Sequence, residues 1–418
     1  MTIDPIITSF LDTDLYKITM QAAVLVNFPD IDVVYKYTNR TAAFGLNEAA
    51  VDWIKTQISY LESLRFSEDE INYLKKEVPF LPAKYFEFLK EFRLDPEKEI
   101  LYSGTPETFG LEIQGKWLTT IIYEIPILAI VSEAFFKFVD TDWNYDGQAE
   151  NAREKCTKLL SNGCSFSEFG TRRRRSFKTQ DLIMKGIMEG VAEVSGETTG
   201  IFVGTSNVYF AKKYGVKPSG TVAHEWMMGV ASITQDYTNS NKIAMDRWIA
   251  TVGPENTGLA LTDTFGTDAF LKAFYPPYSD YYAGVRQDSG DPLLYTDKIA
   301  NHYLNVLKLP KFSKVICYSD SLNVDRCIEY HKKATESGLK ATFGVGTNFT
   351  NDYLSSSGLK SEPLNIVIKL KEANGYPAVK ISDNTGKNMG DVDTVKRVKQ
   401  ELGYTERDWA GGNEAHRW

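Results

Sequence analysis

One pattern constrains this chain more than any other. From about residue 136 to residue 361, short apolar runs, each closed by a polar or glycine-rich tip, alternate with helical stretches. The runs are GIFVGTS (Gly200–Ser206), PSGTVAH (Pro218–His224), GLALTDT (Gly258–Thr264), AGVRQDSGD (Ala283–Asp291), KVICYSDS (Lys314–Ser321) and ATFGVGT (Ala341–Thr347). Helix candidates between them include Gln180–Val194, Asp291–Leu307 and Asn323–Ser337. Strand, tip and helix in repetition are the mark of parallel βα units, in a barrel or a doubly wound sheet. In both, chemistry collects at the C-terminal ends of the strands, so the polar tips become the candidate site.

The flanks read differently. VVYKYT (Val33–Thr38) is rich in β-branched and aromatic residues and predicts a strand. Ser67 and Glu70 predict a capping box opening an amphipathic helix. LNIVIKL and PAVKIS, joined through Asn374-Gly375, predict a strand pair that returns to the N-terminal region. The expected division is a domain of residues 1–135 completed by 362–418, and a second domain of residues 136–361. At 418 residues two domains are the default.

A run of four arginines, Arg172–Arg175, stands out in a chain of net charge −8. That acidic balance argues against nucleic acid as a partner, while leaving room for one basic pocket. The four cysteines form no CxxC pair and the four histidines give no zinc spacing, so no metal-ligand set is expected. No signal peptide is recognised in MTIDPIITSF, and no run of the ~20 apolar residues needed to span a membrane is expected. These features predict a cytoplasmic protein; the arginine run leaves a nuclear fraction open.

At the tips, His224 is the side chain best suited to nucleophilic or proton-transfer work near neutral pH. It needs an orienting carboxylate, for which Asp263 is the candidate and Glu225 a nearer, less convergent rival. Arg286 and Asp288 lie two apart and point the same way from an extended strand end. An arginine grips a carboxylate with paired hydrogen bonds, and an aspartate holds sugar hydroxyls or Mg²⁺. YSDSLN, with Ser319 and Asp320, and FGVGTNF, with Gly344, Gly346 and Thr347, are phosphate-type loops. Of the arginines, Arg172 is expected inside the pocket and the others at its rim or on surface acids. Phe169 and Tyr16 are each open to a packing or a ring-stacking role. Lys380 and Lys387 lie within a plausible reach of phosphate.

DTDLYKITM, EFGTRR, GTVAHE, GVRQDSGD, YSDSLN and GVGTNF, in that order along nearly the whole chain, resemble the nicotinate phosphoribosyltransferase family, and ELGYTERDWAGGNEAHRW resembles its fungal branch. The resemblance implies an irregular TIM-like α/β barrel with a second α/β domain built from both ends of the chain. It implies that nicotinate and phosphoribosyl pyrophosphate give nicotinate mononucleotide and pyrophosphate, with Mg²⁺, and with ATP hydrolysis coupled through a phosphohistidine in the salvage of nicotinate to NAD. By the same resemblance His224 is the phosphorylated histidine and Asp263 orients it. Thr221 and Arg286 bind nicotinate, Phe169 and Tyr16 sandwich its ring, and Arg172, Asp288, Ser319, Asp320, Gly344, Gly346 and Thr347 bind the phosphoribosyl group and its phosphates. The tyrosine comes from the neighbouring subunit in related enzymes, which implies a homodimer. Nicotinamide-using relatives carry an aspartate where this chain has Ser206, which favours the acid substrate. A non-catalytic nucleotide sensor on the same fold is the reading from another class.

Overall fold

The computed structural model describes residues 4–41, 44–194, 196, 198–220, 222–360, 362–384 and 387–405. Its strands are β1 (Asp32–Asn39), β2 (Ile100–Ser103), β3 (Gly110–Lys116), β4 (Ser165–Glu168), β5 (Phe202–Thr205), β6 (Leu259–Leu261), β7 (Gly284–Gln287), β8 (Val315–Tyr318), β9 (Lys340–Val345), β10 (Ile366–Ala373) and β11 (Tyr376–Pro377). They form two sheets. One is antiparallel, in the order β11-β10-β1-β3-β2; the other is parallel, in the order β5-β4-β9-β8-β7-β6.

The alternation of apolar runs and tips produces the parallel sheet because each run is buried on both faces, with helices packed outside. Ile316, Phe343, Val285 and Phe166 are all fully buried. Among the described residues the sheet does not close on itself, so the expected barrel is met only as far as an open parallel sheet. The gap lies where PSGTVAH was expected to add a strand. Among its described residues that segment contributes a single bridge, Thr205 to Pro218, before His224 opens a helix. Proline has no N–H to extend the ladder.

The turn Asn374-Gly375 takes left-handed angles at both residues, φ 54° and 78°, and makes the expected hairpin of β10 and β11. β10 pairs with β1, so the C-terminal region completes the N-terminal sheet. The second half of PAVKIS departs from the expected strand. After Pro377 the chain leaves the sheet, and Ile381 N–H donates to Thr264 O beyond β6 at 2.8 Å.

The helices sit near their predicted places. The first runs Phe177–Glu193, capped by Ser176, and another runs Val324–Glu336, capped by Asn323. The Ser67 capping box is present. The stretch expected as one helix to Leu307 is an α-helix, Pro292–Ala300, that widens to a π-helical turn, Asn301–Val306. Against the sequence expectation, Trp117–Phe138 is long and apolar enough to cross a membrane, but 83% of its most apolar 18-residue window is buried inside the protein. It is a core segment, and it brings Glu124 to the site.

Candidate active site

The tips of β4, β9, β8, β7 and β6 lie side by side because those strands are neighbours in the sheet. The tips of β4, β9, β8 and β7 line a large cavity beside a smaller one, and Arg172, His224, Arg286, Asp288 and Lys369 line both; Asp263, beyond β6, lines neither. Phe169, Ser319, Asp320, Gly344, Gly346 and Thr347 line the larger cavity, and Tyr16 the smaller. Thr221 lies outside the described residues.

His224, at the first turn of the helix His224–Thr234, is buried. Its Nδ1 is 3.0 Å from Thr264 Oγ1, and its Nε2 is 2.9 Å from both Asp288 Oδ2 and Lys380 Nζ. One lone pair or one hydrogen at Nε2 serves the lysine or the carboxylate, not both at once. Asp263, the expected orienting acid, is farther, at 3.6 Å from Nε2. It is held by Ser289 Oγ at 2.5 Å and stands 3.4 Å from Lys380 Nζ. The rival Glu225 accepts from Tyr35, Trp117 and Lys17 instead.

Burial pushes the His224 imidazolium down to about 4, with Lys380 adding to the effect and Asp263 and Asp288 opposing it. The ring is therefore neutral at physiological pH and keeps a lone pair. Burial acts to raise Asp288, but Arg286 and His224 outweigh it and hold the carboxyl well below its usual range. The Arg286 side chain donates to Asp288 Oδ1 at 2.7 Å and to Ser319 Oγ at 2.8 Å. The sequence inference that Arg286 and Asp288 share a face holds in space.

Phe169 lies on Gly344, where a Cβ would run into the ring, and its N–H donates to Val345 O at 2.8 Å. That explains the glycine without any ligand. Tyr16 lines the smaller cavity from the helix Leu15–Asn27 of the same chain. Ser206 is buried and donates to Asp14 Oδ1 at 2.8 Å; it lines neither cavity.

The arginine run divides. Arg172 and Arg173 line the larger cavity, Arg172 lying 3.8 Å from Glu124 and Arg173 donating to Asn365 at 2.9 Å. Contrary to expectation, Arg174 and Arg175 are fully buried, not at the rim or the surface. Arg174 makes a paired contact with Asp12 at 2.7 and 2.8 Å, and Arg175 packs over Phe136 at 4.3 Å. The tight turn Thr171–Arg173 sends successive side chains to different sides of the loop.

Lys369, Lys380, Lys387 and Arg40 also line the larger cavity. Lys369 and Arg40 were missed in the sequence. The available signal was a lysine within IVIKL, two residues from Val367 and hence on the same face of β10. Lys369 makes no hydrogen bond or ion pair among the described residues. Burial pushes it down to about 7, with Glu124 opposing.

Comparison with known proteins follows the same lines. The model of the nicotinate phosphoribosyltransferase (NAPRTase) family matches residues 164–406, and that of the family's N-terminal domain matches residues 11–132. The nicotinate phosphoribosyltransferase of Saccharomyces cerevisiae is 61% identical over 99% of both chains. A Methanosarcina mazei relative described as nicotinate phosphoribosyltransferase is 38% identical over 95% of this chain and 98% of its own length. A crystal structure from Saccharomyces cerevisiae superposes with a TM-score of 0.95 at 60% identity, covering 97% of this chain and 100% of that one. One of nicotinate phosphoribosyltransferase from Porphyromonas gingivalis gives 0.86 at 34% identity, covering 95% and 100%.

Proposed function

The chain belongs to the nicotinate phosphoribosyltransferase family, and on that premise we propose that it transfers the phosphoribosyl group of phosphoribosyl pyrophosphate to the ring nitrogen of nicotinate, giving nicotinate mononucleotide and pyrophosphate for NAD biosynthesis. The observation that carries this reading is the convergence of Arg172, Arg173, Arg286, Lys369, Lys380 and Lys387 on one cavity beside a neutral histidine. An acidic chain that gathers so many cations around two aspartates is shaped for a polyanion. Lys369 adds to the case, since an incoming phosphate would restore the charge that burial weakens.

In this reading the phosphates of the donor lie among Lys369, Lys380, Lys387 and Arg172, and Asp288 and Asp320 face the ribose. Loss of pyrophosphate leaves an oxocarbenium-like sugar, and the basic groups stabilise the charge that develops on the departing phosphates. Nicotinate is held by Phe169 and Tyr16 at its faces and by Arg286 at its carboxylate, which brings the ring nitrogen in line with C1′. Tyr16 of the same chain lines this cavity, and the homodimer implied by the family resemblance would place a second tyrosine helix at the subunit boundary.

We further propose that ATP hydrolysis is coupled through phosphorylation of His224. A neutral, buried imidazole, once its unprotonated nitrogen is released from its hydrogen-bond partner, is a competent nucleophile toward the γ-phosphoryl group. The phosphorylated ring would add negative charge and acceptor oxygens beside Lys380. For Mg²⁺, the cluster His224, Asp263 and Asp288 has the spacing of a cation site, but Lys380 already stands against two of its members. Asp288 and Asp320, carboxylates on neighbouring tips, would hold Mg²⁺ together with phosphate oxygens once these draw Arg286 and Lys387 away from them. The ion would supply charge neutralisation at the leaving group. The four cysteines are free and buried, which accords with a reducing cytoplasm.

The test is product formation by the purified chain from phosphoribosyl pyrophosphate and Mg²⁺ with nicotinate, nicotinamide or quinolinate in parallel. Nicotinate mononucleotide as the dominant product is expected. Preference for nicotinamide or quinolinate would replace the reading, and no product from any of the three would favour a nucleotide sensor.

A further inference from the structure

Lys380 and Met389 pair as an antiparallel bridge, and the described residues between them reach the tips of neighbouring parallel strands. Ile381 N–H donates to Thr264 O beyond β6 at 2.8 Å, and Asp383 N–H to Ser289 Oγ beyond β7 at 3.0 Å. Lys387 Nζ donates to Asp320 Oδ2 beyond β8 at 2.5 Å. Asp383 is the joint of this crossing. Its carboxylate accepts from the Thr267 N–H at 2.7 Å and from the Thr267 hydroxyl at 2.5 Å. The Ser289 hydroxyl that receives its N–H donates in turn to Asp263 Oδ2 at 2.5 Å. Three residues before Asp383, Lys380 Nζ meets His224 at 2.9 Å and Asp263 at 3.4 Å.

Asp383 does not face the reaction. It lines a different cavity, with Gly266, Gly290, Tyr295 and Tyr404, and neither of the two that form the site. A carboxylate there is unfavourable in isolation: burial and the nearby charge of Asp263 push it up to about 6. Its two bonds to Thr267 and its backbone bond to Ser289 anchor one end of the segment whose other end delivers Lys380.

We propose that Asp383 is a positioning residue for phosphoribosyl transfer: by fixing the segment to Thr267 and Ser289, it sets Lys380 against His224. The proposal rests on the assignment of the reaction to this site. Lys380 touches the histidine; Asp383 acts only through it.

Four full-length variants test this: Asp383→Ala, Asp383→Asn, Lys380→Met and the Lys380→Met/Asp383→Ala double variant. The asparagine keeps an acceptor for the Thr267 N–H, so it should rescue most of what alanine loses. Nicotinate mononucleotide formation is measured with and without ATP, and the imidazole signals of His224 are followed by NMR at one fixed pH. Asp383→Ala is expected to lower kcat about tenfold, the scale of one charge-assisted hydrogen bond, with the KM for nicotinate within about twofold. The double variant should be no slower than Lys380→Met alone, because residues acting in series are not additive.

The NMR arm does not depend on turnover. His224 Nε2 lies 2.9 Å from Lys380 Nζ, whereas Asp383 bonds Thr267 and Ser289 and not the ring. Withdrawal of the lysine from Nε2 therefore changes the ring nitrogen shifts. The proposal requires the His224 signals of Asp383→Ala to move in the direction seen in Lys380→Met, and those of Asp383→Asn to stay near wild type. Effects on kcat that multiply, or His224 signals unchanged in Asp383→Ala, would overturn it. A wild type that forms no product would instead defeat the functional reading and leave the His224 signals to decide the role of Asp383.

Discussion

Lys380 Nζ stands 2.9 Å from His224 Nε2 although the two residues are 156 apart in sequence. One is carried by the chain leaving the antiparallel sheet, the other by the first turn of a helix beside the parallel one. The site is therefore assembled between the two sheets and not by the strand tips alone.

Replacing Lys380 by methionine should keep the apolar stem and remove the charge facing the reacting phosphates. We expect kcat to fall roughly tenfold to a hundredfold, the range for loss of one preorganised electrostatic contact, with little change in the KM for nicotinate. Steady-state kinetics with each substrate varied in turn would show it. An increase in nicotinate KM at constant kcat would mean that Lys380 serves the other substrate.

Gly344→Ala places a methyl group against the ring of Phe169. The ring must shift, and if it is a wall for nicotinate, the KM for nicotinate should rise several-fold while the fold survives. Phe169→Ala should produce the same phenotype more strongly, by about 1–2 kcal/mol of lost ring contact. Equal kinetics for wild type and both variants would remove Phe169 from the site.

Arg174→Met should act on stability and not on substrate. It leaves Asp12 buried without its guanidinium, a loss of about 3–5 kcal/mol for a broken buried pair. Chemical denaturation should show that loss. Arg172→Met, at the cavity, should leave the unfolding midpoint nearly unchanged and reduce turnover.

The pH dependence of stability follows from His224. Its folded pKa, about 4, lies below the ordinary histidine value of 6.5. Between those values the unfolded chain binds more protons, so stability rises with pH across the window and is lost as pH falls through it. The contribution reaches roughly 3 kcal/mol below pH 4. Asp383 opposes it: raised to about 6, it favours the folded state as pH falls from 6 toward 4. The two slopes offset between pH 4 and 6, leaving the histidine alone from 6 to 6.5. A His224→Gln variant should therefore lose less stability on acidification than the wild type, measured by urea unfolding at each pH.

Much of this was legible in the sequence because its signals are local. Apolar runs with polar tips predict parallel strands, Asn374-Gly375 predicts a hairpin, and the spacing of Arg286 and Asp288 predicts a shared face. What escaped depends on tertiary placement. Lys369 sits in a strand whose apolar neighbours hide it, and Lys380 reaches His224 only because the chain turns out of the sheet after Pro377. Arg174 and Arg175 look like surface charges until Asp12 and Phe136, from other parts of the chain, close around them. The strand expected at PSGTVAH failed for a local reason, the proline at its start, and with it the expected closure of the sheet.

The most direct measurement is the acid-labile phosphate left on the protein after incubation with γ-labelled ATP, followed alongside nicotinate mononucleotide formation in wild type and His224→Ala. The account predicts label on the wild type, none on the variant, and nicotinate turnover that ATP enhances only when His224 is present. Label that persists in His224→Ala, or turnover equally enhanced by ATP without the histidine, would contradict it.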